Sequence, residues 1–169
     1  KKYNFVIIHS ISGTTGIEWK AGEVVSHIAE KVSAKELISL EGVGVGGHTE
    51  QSEDPNVFYY TNIEDLPERM KELEIQPLKE GIIVGVTASL LLKTNLPTTC
   101  FFVETHSQLP DSKAAAKLIE VLDRYVGMEV DNTPLLQTAE KFEEKIKDLI
   151  DKGQQTMDLK SKKDLNYVG

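Results

Sequence analysis

Cys100 and His106 put a thiol and an imidazole, the raw material of a nucleophilic dyad, six residues apart on one predicted strand. At ~3.3 Å per residue they stand roughly 20 Å apart, so they cannot serve each other. Cys100, followed by Phe101 and Phe102, reads instead as a buried small hydrophobe. Glu104 and His106 share a strand face two positions apart, which suits an acid–base pair and suits equally an ionic latch at the strand end. The four histidines, His9, His27, His48 and His106, follow no ligand spacing such as H-E-x-x-H, and the one cysteine offers no second thiolate. No metal site is expected. His27, inside an apolar helical pattern, reads as a packing residue or a buried hydrogen-bond donor.

Gly42, Gly44 and Gly47 match the G-x-G-x-x-G spacing just after a predicted strand. Pyrophosphate binding there needs a helix immediately afterwards, because its amide ends hold the anion. Residues 48–55 are acidic and poor in helix formers, so the match reads as accidental. No Gly-Lys-Ser/Thr phosphate loop occurs, and no cofactor is expected. Three polar or glycine-rich clusters remain, at 9–16, 42–49 and 104–111, each after a predicted strand. In a parallel α/β sheet such loops meet at the carboxyl edge, where ligands bind. Gly13, Gly46, His48, Glu104 and His106 are therefore the candidate pocket; the competing reading is that these loops only turn the chain.

Phe5-Val6-Ile7-Ile8-His9 is continuously apolar and β-branched, the pattern of a strand covered on both faces. Trp19, Val24, Val25, Ile28 and Val32 recur at helical spacing and predict a helix over 17–32. A second strand is expected at 36–41, giving a β–loop–α–β unit and a parallel pair with a right-handed crossover. Residues 57–60 read as a short strand, and Asn62 or a neighbour as the cap of a short helix carrying Leu66, Met70 and Leu73. The stretch 81–92 fits a strand at Ile82-Ile83-Val84 or a tightly packed helix.

The clearest strand is 98–104; Pro110-Asp111-Ser112 then opens a helix that Gly127 ends. Thr133-Pro134 opens a last, long helix whose Leu135, Ala139, Phe142, Ile146 and Leu149 form a seam for a sheet, a neighbouring helix or another subunit. The expected architecture is α/β: a mostly parallel central sheet flanked by helices, one domain over 1–152, and a mobile tail over 153–169.

The chain has 169 residues, enough for a single domain with its own core. Nineteen basic against 27 acidic side chains give a net charge of −8, which disfavours phosphate backbones, so nucleic acid is not an expected partner. A single cysteine fits a reducing compartment, and no apolar run approaches the ~18 residues of a membrane span. A cytoplasmic location without membrane contact is the expectation. The final Leu165-Asn166-Tyr167-Val168-Gly169 places an apolar, aromatic tip on a polar tether. A tyrosine ring offers buried area plus a hydroxyl, and a terminal carboxylate can pair with a lysine in a partner's pocket. The competing reading is a frayed end.

Four segments in order carry a resemblance: Gly85-Val86-Thr87-Ala88-Ser89-Leu90-Leu91-Leu92, Phe101-Phe102-Val103-Glu104-Thr105-His106, Pro110-Asp111-Ser112-Lys113-Ala114-Ala115 and Gly127-Met128-Glu129-Val130-Asp131. Together with the glycine-rich 37–47, they resemble the archaeal and bacterial branch of the proteasome assembly chaperone family across most of 35–150. The resemblance implies a nucleoside-phosphorylase-like α/β fold, no catalysis, homo-oligomers, and binding to the α-subunits of the proteasome core particle as an assembly factor or activator. It also implies a docking role for a C-terminal hydrophobic–Tyr–any motif, here carried over to Leu165, Tyr167, Val168 and Gly169.

Members of this family are often labelled ATP-grasp-like, but the nucleotide loops that label needs are not visible. Here Tyr167 is third from the end and follows Asn166, where the motif puts tyrosine next to last after an apolar residue. The chain opens on Lys1, and the family usually has a further strand and glycine-rich loop upstream of anything like 5–10, so the chain reads as shortened or divergent. The alternative function is a phosphorylase-like or ATP-grasp-like enzyme, or a small-molecule binder, acting at the strand-end loops.

Overall fold

Six consecutive residues, Thr98 to Val103, are buried, and this strand organises the molecule. The computed structural model describes residues 4–44, 54–105 and 111–131, with scattered positions between 133 and 152. In chain order the elements are α1 (Glu18–Lys31), β1 (Leu37–Gly44), β2 (Val57–Thr61), α2 (Leu66–Glu72), β3 (Gln76–Pro77), α3 (Gly85–Lys93), β4 (Thr98–Thr105) and α4 (Ser112–Val126). The strands form one sheet in the order β1-β4-β2-β3. β1 runs parallel to β4, with Leu37 opposite Thr98 and Gly44 opposite Thr105. β2 runs antiparallel to β4, with Val57 opposite Val103 and Thr61 opposite Thr99, and β3 is parallel to β2.

The sheet is therefore mixed, which corrects the expectation of a mostly parallel one. Its two parallel pairs meet along an antiparallel seam between β2 and β4. A parallel neighbour needs a crossover, usually helical, and the sequence between β1 and β2 carries no helical pattern.

Alternation along the strands sorts the side chains. Tyr59, Phe101 and Val103 point to one face, where Leu66 and Met70 of α2, Ile75, and Ala114, Leu118, Val121 and Tyr125 of α4 complete the core. The Phe101 and Tyr125 rings meet edge to face, their centroids 5.3 Å apart. The other face carries α3, tied to β1 by the Ser39–Thr87 hydroxyl pair at 2.7 Å. α1 packs chiefly against α3; a methyl at Gly22 would collide with the Ser89 side chain.

Helix ends follow their sequence signals. The Asp111 carboxylate accepts from the Ala114 N–H at 2.9 Å, and Gly127, at φ +71°, ends α4 in the left-handed region that disfavours a side chain. Asn62 caps no helix. Its Oδ1 accepts from Thr98 N–H (2.7 Å) and its Nδ2 donates to the Leu96 carbonyl (3.1 Å), fixing the start of β4. Residues 81–84 are not a strand, which leaves the helical reading of that stretch. Residues 4–10 belong to no strand, and Ile7 is 88% exposed, against the covered strand expected there. A run of this kind becomes a strand only when an edge receives it. The seam of the expected last helix and the tail fall largely outside the described residues.

Phe101 is fully buried in the core and Leu92 is 74% exposed. Phe101→Ala should cost about 3–5 kcal/mol in urea unfolding. Leu92→Ala should stay within about 0.5 kcal/mol.

Candidate functional site

The parallel β1–β4 pair ends at Gly44 and Thr105, and the N-terminal turn of α4 lies beside those ends. Between them is a cavity of about 240 Å³ lined by Gly42, Val103, Thr105, Asp111, Ala114, Ala115 and Leu118. Gly42 helps to open it: a methyl there would press the Thr105 side chain at 2.9 Å. Gly42, which opens one of the loop clusters expected at the carboxyl edge, and Thr105 and Asp111 of another thus meet here. The lining is mostly apolar. Its polar groups are the Thr105 hydroxyl and the Asp111 carboxylate, and one oxygen of the latter is engaged in capping α4.

The third cluster does not join them. Gly13 is exposed, with nothing within 4 Å of a Cβ built on it. Glu104 belongs to the strand face opposite the cavity, since Val103 and Thr105 line the cavity and alternate with it. Its Oε2 accepts from Asn56 Nδ2 at 2.8 Å, and its N–H donates to the Asn56 carbonyl at 3.0 Å. Glu104 therefore fastens β4 to the start of β2. Of the other candidates, Gly46, His48 and His106, together with Leu165, Tyr167, Val168 and Gly169, lie outside the described residues. His27 is exposed on α1, contrary to the buried role expected of it.

Cys100 is fully buried on the α3 face. Burial first, and then the nearby Glu41 carboxylate, push its thiol up to about 12, so at neutral pH it is not a nucleophile. Near the opposite end of the sheet is a polar knot that sequence reading missed. Tyr125 Oη donates to Glu36 Oε1 at 2.7 Å, and Thr99 Oγ1 donates to the same oxygen at 2.5 Å. The Arg69 guanidinium lies 4.7 Å above the Tyr125 ring centroid and also donates to the Tyr125 carbonyl. Burial, then the bond to Glu36, push the Tyr125 phenol up to about 12. Nothing in the spacing of residues 36, 99 and 125 signals this meeting.

Among the described residues, no group of three or more His, Cys, Asp or Glu is placed to hold a metal ion, and no helix is long and apolar enough to cross a membrane. The described residues form a mixed four-stranded α/β sheet with helices on both faces and a small, mostly apolar cavity at its parallel strand ends. The PAC2 family model matches residues 1–150, and the chain belongs to the PAC2 family. It is 28% identical over 170 aligned positions to the uncharacterized protein MJ0106 of Methanocaldococcus jannaschii, covering 98% of this chain and 68% of that one.

Two solved structures are similar in fold. Pyrococcus furiosus PbaA, described as an archaeal homolog of proteasome-assembly chaperone, is 26% identical with a TM-score of 0.67, over 88% of this chain and 65% of its own. Pyrococcus furiosus PbaB, described as an archaeal proteasome activator, is 22% identical with a TM-score of 0.65, over 80% of this chain and 59% of its own, and shows the fold alone. The chain thus spans just under two thirds of the length of PbaA.

Native protein should leave Cys100 unlabelled by a disulfide thiol reagent at pH 8, with one equivalent reacting after unfolding in urea. For Tyr125, a folded pKa above the unfolded value of about 10 stabilises the fold fully below that pH, and the contribution is lost as pH rises toward about 12. Tyr125→Phe should cost about 1–2 kcal/mol at pH 7. Urea midpoints measured between pH 8 and 11 should fall less steeply for this variant than for the parent.

Proposed function

We propose that this protein is a proteasome assembly chaperone or activator homologue, not an enzyme, that self-associates and binds the α-ring of the proteasome core particle through its C-terminal segment. The observation that carries the reading is the PAC2 family match over 1–150, joined by the likeness to PbaA in both fold and sequence. Leu165, Tyr167 and Val168 supply apolar and aromatic side chains that an inter-subunit pocket would bury. The apolar seam of the last helix supports self-association. A cytoplasmic location follows from the same reading.

The second reading, a small-molecule binder or enzyme at the strand-end loops, draws its support from the cavity beside Gly42 and Thr105. The two readings part experimentally. Removing Leu165 to Gly169 should weaken capture of α-subunit rings at least about tenfold, as loss of an aromatic anchor does. Undiminished capture would remove the tail from the mechanism. Nucleosides and phosphate should leave the thermal midpoint unchanged on the first reading and raise it on the second.

A further inference from the structure

The cavity beside Gly42 and Thr105 selects its occupant by its walls and by the kind of polar group it offers. Val103, Ala114, Ala115 and Leu118 make its sides apolar, and Gly42 and Ala115 on its lining are exposed to solvent. A volume of about 240 Å³ is less than an ordinary ligand pocket and enough for one long side chain. The Asp111 carboxylate can only accept hydrogen bonds, and the Thr105 hydroxyl can accept or donate. Asp111 Oδ1 is taken by the Ala114 N–H at 2.9 Å, which leaves Oδ2 for the cavity. An anion would be repelled there, and a wholly apolar group would strip the carboxylate of water without replacing its hydrogen bonds. A cation on an aliphatic stem satisfies walls and carboxylate together. The α4 N-terminus carries roughly half a positive charge, which the full charge of a carboxylate outweighs. With one carboxylate oxygen left, the planar fork of arginine finds no bidentate partner, whereas an ammonium needs only a single strong acceptor.

We infer that this cavity receives one lysine side chain of a partner protein, its stem against Val103, Ala115 and Leu118 and its ammonium donating to Asp111 Oδ2 and the Thr105 hydroxyl. The charge of the whole chain agrees, since a net −8 draws basic surfaces toward it. The exposed Gly42 and Ala115 leave room for the partner's backbone to stay outside. Gly42 has a defined part in this, because a methyl there would press the Thr105 side chain at 2.9 Å and narrow the cavity. The inference goes beyond α-ring binding through the C-terminal segment and stands without it.

Amide chemical shifts of the full chain, titrated with Nα-acetyl-lysine methylamide at pH 7, test it. The Gly42, Thr105, Ala114 and Ala115 amides should shift and saturate with a Kd of about 1–10 mM, a range within reach of one side chain. Acetylating the probe's Nε removes its charge and should weaken binding at least about tenfold. The arginine counterpart of the probe should also bind more weakly. Asp111→Asn, whose side-chain oxygen still caps α4, should weaken binding of the lysine probe at least about tenfold. Ala115→Leu, at an exposed helix position, should block it by filling the cavity. If Asp111→Asn fails to fold, the comparison of probes on the parent chain decides. Equal binding of the acetylated probe, tighter binding of the arginine counterpart, or no shift around the cavity would overturn the inference. So would undiminished binding by Ala115→Leu. Capture of α-subunit rings is a separate measurement, so failure here leaves that reading standing.

Discussion

Everything in this fold hangs on β4 having no exposed side over most of its length. Thr98 to Val103 are buried, so the strand must pair its backbone on both edges and cover side chains on both faces. β1 and β2 take the edges, one parallel and one antiparallel. α4 takes one face with the core of Phe101, Val103 and Tyr125, and α3 takes the other. A buried strand tolerates polar residues only where they are satisfied. Thr98 and Thr99 meet that condition, Thr98 through the Asn62 amide and the Leu96 carbonyl, Thr99 through Glu36.

That constraint divides the sheet's two ends. At the amino end of β4, Thr61, Thr99, Glu36 and Tyr125 are joined by side-chain hydrogen bonds, and Asn62 bonds the Thr98 and Leu96 backbone, tying β2, β4, α4 and the residue before β1 together. At the carboxyl end, the chain supplies Gly42 and Thr105 and the first turn of α4 around a cavity. The amino end is closed by its hydrogen bonds. The carboxyl end is the one with space to receive something, as the general rule for parallel strand pairs has it.

Elements with an unbroken local signal were legible. The 98–104 run, the Asp111-to-Gly127 helix and the 17–32 periodicity fall within a residue or two of β4, α4 and α1. What could not be read was whatever depends on distant partners. Gln76 and Pro77 make a strand only because β2 lies beside them, and Pro77 would argue against one locally. Asn62 has the composition of a cap, but the nearby Thr98 backbone outcompetes a helix for it. Strand direction was misjudged because periodicity reports which face a residue takes and not which way its neighbour runs. Gly42 and Asp111, which bound two of the loop clusters read as strand ends, line the cavity, whereas Glu104, named for the pocket, alternates to the opposite face and is held by Asn56.

Among the described residues, the strand-end cavity is small and poor in reactive groups. A cavity of about 240 Å³ is below the ~300–1,000 Å³ of ordinary ligand pockets, and it presents one hydroxyl and one carboxylate already at work in a helix cap. The single thiol is buried and held protonated on the far side of the sheet, and His9 and His27 stand exposed rather than facing one another across a cleft. General acid–base or nucleophilic catalysis needs groups within hydrogen-bond reach of a common reacting atom. No such group of side chains forms among the described residues. Binding by exposed apolar surface needs no such convergence, and the chain shows Ile11, Ile17, Trp19, Ile82 and Leu92 to solvent.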